Sequence, residues 1–226
     1  MTMQPPEQPL FVARYRANGQ DHWMEMGEAE IARAQTFFTR VVRLENFLLD
    51  SKALIISSYA DAAFMNPFER ALIDLGMVIT ASENSPFDGA RTEATLRRFD
   101  VRLIAPVSAM ALDAVIAAGH DPLQIFKGRV VWAWPDAYDR LTGADGIDLR
   151  RWFEIGPAIL FETARGVLVY DSREWNIEFN GTQASVSSRL TRRHGFDALQ
   201  VALPCPMEHG PAENGFAGGR AVIAIN

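Results

Sequence analysis

From Glu28 the apolar residues Ile31, Ala34, Phe37, Phe38, Val41 and Val42 recur at three- and four-residue spacing. That period lays one apolar stripe along a helix and predicts an amphipathic helix running to about Leu49. Before it, Leu10–Arg16 has the character of a short strand that ends at the turn pair Asn18-Gly19, behind a Pro-rich leader, Met1–Pro9, expected to be extended or frayed.

After Leu49 the pattern changes to short apolar runs separated by helical stretches. Ala53–Ile56 predicts a strand. A helix is expected to open at Asn66-Pro67, with Asn66 as cap and Pro67 in the first position, and to close at Gly76 before a short strand at Met77–Ile79. The unit recurs as a helix over about Asp88–Phe99, a strand over Val101–Ala105, a helix from Ser108 to Ala118 stopped by Gly119, and a strand over Val130–Trp134. Such alternation predicts a mostly parallel sheet with flanking helices.

From about Ala158 only short strands follow, at Ala158–Phe161, Val167–Tyr170, Trp175–Phe179, Gln183–Ser187 and Ala198–Leu203, so antiparallel pairing is expected. Asn180-Gly181 predicts a two-residue hairpin turn. A Pro- and Gly-rich tail runs from Pro204 to Gly219, and Ala221–Ile225 is expected to return as a last strand. The fold class is therefore α/β with a β-rich C-terminal part, expected as one domain over 1–226 with an α/β part at 10–157 and a β-rich part at 158–226.

Composition narrows the function classes. In 226 residues the chain carries 22 Lys and Arg against 28 Asp and Glu, a net charge of -6, and its arginine pairs (Arg97-Arg98, Arg150-Arg151, Arg192-Arg193) are dispersed, which argues against nucleic acid as a partner. No apolar run approaches a membrane span, and the start lacks a signal-peptide pattern, so no membrane is expected and the cytoplasm is the expected location. One cysteine, Cys205, leaves no intramolecular disulfide and no thiolate zinc cluster.

No phosphate loop, dinucleotide fingerprint or nucleophile elbow occurs, and the isolated His22, His120, His194 and His209 show no metal-ligand spacing; no metal is expected. His209 either acts as an acid or base from the tail or is an exposed loop residue. Cys205, between Pro204 and Pro206, either accepts an acyl group or packs as a small hydrophobe. Trp132, Trp134, Trp152 and Trp175 either line a pocket for a flat apolar ligand or fill the core.

The segment IGPAILFETARGVLVYDSREWNIEF, Ile155–Phe179, and the later SSRLTRRHGFDAL, Ser187–Leu199, are similar in order and cadence to segments of the adenylate-forming superfamily, in its phenylacetate-CoA ligase branch. The resemblance runs from about Leu10 to Val201 and implies the central part of the large domain of those enzymes. It places Glu154, just before Ile155-Gly156-Pro157, where the family has the glutamate that helps bind magnesium. It places RYRANGQ, Arg14–Gln20, where the family has its Ser/Thr/Gly-rich phosphate loop, and Trp134-Pro135-Asp136 where it has the Gly-Glu-Pro motif that packs on adenine. The ribose-binding aspartate has no counterpart, since Gln200–Pro204 stands there, and the segment before the phosphate loop and the lysine-bearing C-terminal domain are expected to be missing.

The resemblance thus implies a degenerate relative that binds a small acyl or aryl carboxylic ligand, or serves as a homo- or hetero-oligomeric subunit of a larger acyl-activating assembly, without ATP-dependent adenylation; no cofactor is identified. Two alternatives stand beside it: acyl or CoA-thioester transfer using Glu154, His209 or Cys205, and a docking partner of a full-length ligase. In the first reading Trp132, Trp134 and Trp152 are the expected ligand-binding residues.

Overall fold

The computed structural model describes residues 9–163, 167–210 and 219–223, the last five as backbone. The chain opens with an antiparallel hairpin, β1 (Phe11–Ala17) and β2 (Gln20–Met26). Asn18 and Gly19 form its turn with φ of 52° and 75°, the left-handed region in which glycine and asparagine are tolerated best. The turn is legible in the sequence; the return strand Gln20–Met26, which buries Met24 and Met26, is not among the strands expected from it.

Helix α1 (Glu28–Arg43) buries the predicted stripe, Ile31, Phe37, Phe38, Val41 and Val42. Its start is fixed by Glu30, whose carboxylate accepts the Gly27 N–H at 2.5 Å. It ends six residues before the expected Leu49. The apolar stripe stops at Val42, Asn46 turns left-handed at φ 53°, and Leu48 and Leu49 stand 79% and 74% exposed.

The βα units follow as β3 (Lys52–Ser57), α2 (Ala62–Asp74), β4 (Val78–Glu83), α3 (Gly89–Arg98), β5 (Val101–Val107), α4 (Ala109–Ala117), α5 (Pro122–Ile125), β6 (Val130–Ala133), α6 (Pro135–Leu141) and β7 (Asp148–Ile155). Asn66-Pro67 does not open α2; Pro67 lies inside it. Asp61, accepting from the Ser58 N–H at 3.0 Å and the Ser58 hydroxyl at 2.8 Å, organises an earlier start. The longer helix adds Ala63, Phe64 and Met65 to the buried face, which offsets the one hydrogen bond that Pro67 cannot donate. Gly76 and Gly119 end their helices at φ 75° and 86°, as expected.

The antiparallel part comprises β8 (Ala158–Glu162), β9 (Leu168–Tyr170), β10 (Trp175–Ser188), β11 (Leu199–His209) and β12 (Gly219–Ile223). All but the first hairpin join one ten-stranded sheet in the order β10-β11-β12-β9-β8-β7-β6-β5-β3-β4. Pairing is parallel from β4 to β7 and antiparallel from β7 onward, with Gly156 (φ 57°) in the bend between β7 and β8.

Asn180-Gly181 does not form a hairpin. Trp175–Ser188 is one continuous strand; Gly181, the only residue of the pair with positive φ, pairs with Met207 of β11 and marks a register shift before the ladder resumes at Gln183–Val186. The β10–β11 reversal falls at 189–198 instead. β12 lies two residues before the expected Ala221–Ile225, and the leader before Pro9 and residues 224–226 lie outside the described residues.

Alternation along the parallel strands separates two cores. Ala53, Ile55, Leu103, Ala105, Trp132 and Trp152 face α1, α2 and the hairpin. Leu54, Ile56, Ile104, Val131 and Ala133 face the side of α3, α4 and α6. At the centre of the first core edge-to-face contacts join Phe38 to Phe161, Phe68 to Trp152 and Trp152 to Phe161, the last pair with centroids 4.3 Å apart. Among the described residues no helix is long and apolar enough to cross a membrane.

Candidate functional site

In a parallel sheet the helices lead away from the carboxyl ends of the strands, and the residues that follow each strand surround a common crevice. Here those residues are Ser58 after β3, Asn84 after β4, Ser108 after β5 and Trp134 after β6, with Phe153 and Glu154 at the end of β7. They line a cleft of about 600 Å³. The β1–β2 hairpin covers one side through Arg14, Arg16, Asn18 and Gly19, and Val201–Pro204 of β11 closes another.

Local chemistry sets each side chain. Ser108 caps α4, accepting the Ala111 N–H at 3.1 Å while its hydroxyl donates to Asn84 Oδ1 at 2.6 Å. Asp136, in the first turn of α6, accepts from the Ala137 N–H at 2.8 Å and the Ala109 N–H at 3.4 Å. In β1 the alternation buries Ala13, Tyr15 and Ala17 and turns Arg14 and Arg16 to the cleft side.

The hairpin is clasped at three points. Arg14 forms an ion pair with Asp61 at 2.5 Å and a second with Asp21 at 3.5 Å. Burial pulls its proton affinity down, but the two carboxylates outweigh it and hold the guanidinium above its ordinary value. Arg16 pairs with Asp21 at 3.1 Å, and that hydrogen bond, with Arg14 nearby, holds Asp21 below the usual carboxylate range. At the tip, the Asn18 amide donates to Gln200 O at 2.9 Å and accepts the Ala202 N–H at 2.8 Å.

The third clasp involves Glu154. The Arg16 N–H donates to its Oε1 at 2.5 Å, next to a backbone bridge between Arg16 and Gly156. Burial pushes the carboxyl up to about 7, against the Arg16 N–H bond and the attraction of Arg14 and Arg16; Asp61 adds to the rise. Near neutral pH Glu154 is therefore part acid, part carboxylate.

The sequence-selected residues separate. Glu154 and Trp134 line the cleft. Trp132 and Trp152 are fully buried in the core, and the Trp132 indole donates to Glu162 O at 3.0 Å; Trp175 is buried under the Arg192 guanidinium, 4.5 Å from its ring centre. Cys205 is half-buried on β11, its thiol pushed up by burial, and His209 is exposed at the end of that strand with its ring 5.1 Å from Phe179. Neither lines the cleft, and the structure does not bring them to Glu154.

Sequence reasoning passed over Arg14, Asp61, Asn84 and Ser108 as site residues. Ser108 as a helix cap and Ser58-x-x-Asp61 as a capping pair were visible signals, but their convergence was not. Among the described residues no group of three or more His, Cys, Asp or Glu side chains is gathered for a metal ion.

No protein-family model matches the chain, and no curated protein is similar to it in sequence. Solved structures share the fold. An open conformation of 2-hydroxyisobutyryl-CoA ligase in complex with 2-HIB-AMP and CoA superposes with a TM-score of 0.70 at 10% identity, over 97% of this chain and 57% of the ligase. O-succinylbenzoate coenzyme A synthetase (MenE) from Bacillus subtilis, in complex with AMP, gives 0.53 at 9% identity, over 86% of this chain and 54% of its own. Apo MbtA from Mycobacterium smegmatis gives 0.52 at 15%, over 87% and 40%. The chain has the fold of part of the large adenylate-forming enzymes and spans little more than half the length of the first two.

Proposed function

We propose that the chain is a degenerate relative of the acyl- and aryl-CoA ligases, of the phenylacetate-CoA ligase type, which uses the cleft to bind a small carboxylic or acyl ligand and does not adenylate it. The observation that carries the reading is the clasped hairpin. Where the resemblance puts a phosphate loop, the chain has a tight two-residue turn whose tip is tied to β11 by both ends of the Asn18 amide.

Phosphoryl and adenylyl transfer depend on donors and cations positioned around the transferring phosphates. The two cations of the hairpin, Arg14 and Arg16, are already paired with Asp61 and Asp21. Glu154, the position the resemblance assigns to magnesium, has its Oε1 taken up by the Arg16 N–H, which leaves one carboxylate oxygen for a cation. Trp134, in the stretch where the resemblance has the Gly-Glu-Pro motif that packs on adenine, puts an indole into the same crevice.

The test is ATP–pyrophosphate exchange over a panel of aryl and fatty acids, run beside thermal-shift titrations of the same acids and their amides. The expected result is no exchange with any acid and a ligand-dependent rise in Tm for some members. Robust exchange with any acid would overturn the reading.

A second reading rests on Glu154 alone, because a carboxyl titrating near 7 suits general acid–base work on an acyl group. It predicts turnover of a CoA thioester that Glu154→Gln abolishes, and an unchanged rate in that variant would remove it.

A further inference from the structure

We propose that Asn180 is a modification site, at which the side-chain amide is lost spontaneously and part of the product is isoaspartate, while the same dipeptide at Asn18-Gly19 is protected by the clasp of the hairpin.

The reaction is local. The Gly181 nitrogen attacks Asn180 Cγ; the N–Cγ bond forms, the Cγ–Nδ2 bond breaks, and the amide leaves as ammonia with the proton of the Gly181 N–H. Water then opens the succinimide. Addition at Cγ restores the original chain and leaves aspartate. Addition at the main-chain carbonyl carbon of residue 180 breaks the original peptide bond, and the chain then runs through Cγ as isoaspartate. Water is the one co-reactant. Glycine after the asparagine favours closure, because it has no Cβ beside the attacking nitrogen and its backbone turns easily toward the side chain.

The chain carries Asn-Gly three times, at Asn18, Asn180 and Asn214, the last outside the described residues. The fold treats the first two differently. Both ends of the Asn18 amide are engaged, Nδ2 donating to Gln200 O at 2.9 Å and Oδ1 accepting the Ala202 N–H at 2.8 Å. The hairpin behind it is braced by the Arg14–Asp61 pair at 2.5 Å. Cγ of Asn18 reaches the Gly19 nitrogen only after both bonds to β11 open.

Asn180 has no such restraint. It is exposed on β10, the edge strand of the sheet, and its amide has no hydrogen-bond partner among the described residues. Gly181 sits at φ 60° where the pairing jumps from Met207 to Ala202 opposite Gln183, and nothing lies within 4 Å of the place a Cβ would take there. The ring therefore has room to form. Its product is tolerated for the same reason: isoaspartate adds one methylene to the backbone, which would disturb a ladder in regular register but falls here where the register already shifts. Asn176, on the same strand, is an internal control, since its Oδ1 accepts from Arg189 Nη2 at 3.0 Å and the β-branched Ile177 follows it.

The test incubates the folded protein and the protein unfolded in urea, each at pH 6 and pH 8 in isotope-labelled water, and follows the sites by mass spectrometry. Asn18 and Asn180 fall in different tryptic peptides, Ala17–Arg33 and Glu174–Arg189, and each conversion takes up one labelled oxygen. The quantity compared is the protection of each site, its unfolded rate divided by its folded rate, which cancels differences in local sequence. Asn18 is expected to be on the order of tenfold or more better protected than Asn180, because two hydrogen bonds must open first. The rate at Asn180 should rise from pH 6 to pH 8, since the attacking nitrogen must lose its proton. Labelling by an isoaspartyl methyltransferase should appear in Glu174–Arg189 and vanish in Asn180→Gln, whose longer side chain closes the ring far more slowly. Equal protection of the two sites, or no conversion of Asn180 in the folded protein while the unfolded chain converts, would overturn the inference. A pH-independent rate, or labelled aspartate without isoaspartate, would overturn the succinimide route.

Discussion

Replacing Glu154 by Gln tests the electrostatics of the cleft through stability alone. Glutamine has the same shape and can still accept the Arg16 N–H, so the substitution removes mainly the ionisation. The folded-state carboxyl titrates at about 7, raised from 4.5 by burial. A carboxyl whose value is raised by folding contributes stability that is fully present below its unfolded value and is lost as pH rises through the folded one. For Glu154 the loss spans about pH 4.5 to 7 and reaches on the order of 3 kcal/mol.

Glu154→Gln carries no such loss. Wild type and variant should therefore have nearly equal stability at pH 4.5, diverge between pH 5 and 7, and differ by on the order of 3 kcal/mol at pH 8 with the variant the more stable. For a chain of this length that corresponds to roughly 6–12 °C in Tm. Urea unfolding of both proteins at pH 5, 6, 7 and 8 reads the difference directly, and titrations the two proteins share, including that of Asp171, cancel in the comparison. A gap constant over the whole range, or a wild type more stable at pH 8 than at pH 5 relative to the variant, would show that Glu154 is ionised throughout and refute the reasoning.

Two further substitutions test the clasp and the packing. Asn18→Ala removes both hydrogen bonds from the hairpin tip to β11 and puts a less tolerant residue at φ 52°, which should cost about 1–2 kcal/mol and speed hydrogen exchange of the Ala202 amide. Asn18→Gly keeps the turn and loses only the bonds, so it should fall between; an Ala202 amide that exchanges at the wild-type rate in both would count against the clasp. Gly89→Ala, at the first position of α3, replaces glycine by a better helix former, which on propensity alone favours the helix. Here the added Cβ would lie 2.0 Å from Ala114 O on α4, so a loss of about 1–3 kcal/mol in urea unfolding is expected, and a gain would show that the α3–α4 contact is looser than described.

Periodicity and turn chemistry are local properties, and the elements that depended on them were legible. The α1 stripe, the Asn18-Gly19 turn, the left-handed stops at Gly76 and Gly119 and the alternation of strand and helix up to β6 follow from side-chain spacing and from which residues accept positive φ. The readings that failed were those in which a local signal competed with distant packing. Pro67 is a good first helical residue, but burying Ala63, Phe64 and Met65 moved the helix start to Ala62. Asn180-Gly181 is a good turn, but pairing of Gly181 with Met207 and of Gln183–Val186 with β11 takes the chain on as a strand with a register shift there.

The site divides in the same way. Its residue types, among them Glu154, Trp134 and the cap Ser108, were present in the sequence, and Glu154 was singled out by its place before Ile155-Gly156-Pro157 in the family resemblance. Its protonation was not legible, because that depends on burial and on an N–H from Arg16, 138 positions away. The pairing of Arg14 with Asp61 and the tie of Asn18 to β11 likewise join residues far apart in the chain. Sequence alone determined which side chains were available and the type of those helices and strands whose periodicity and turn residues met no competing packing, since these follow from neighbours within a few positions. Only the tertiary structure decided which of those side chains share a cleft, which charges are already compensated, and which carboxyl is kept from water, because Coulomb energy and desolvation depend on distance in space.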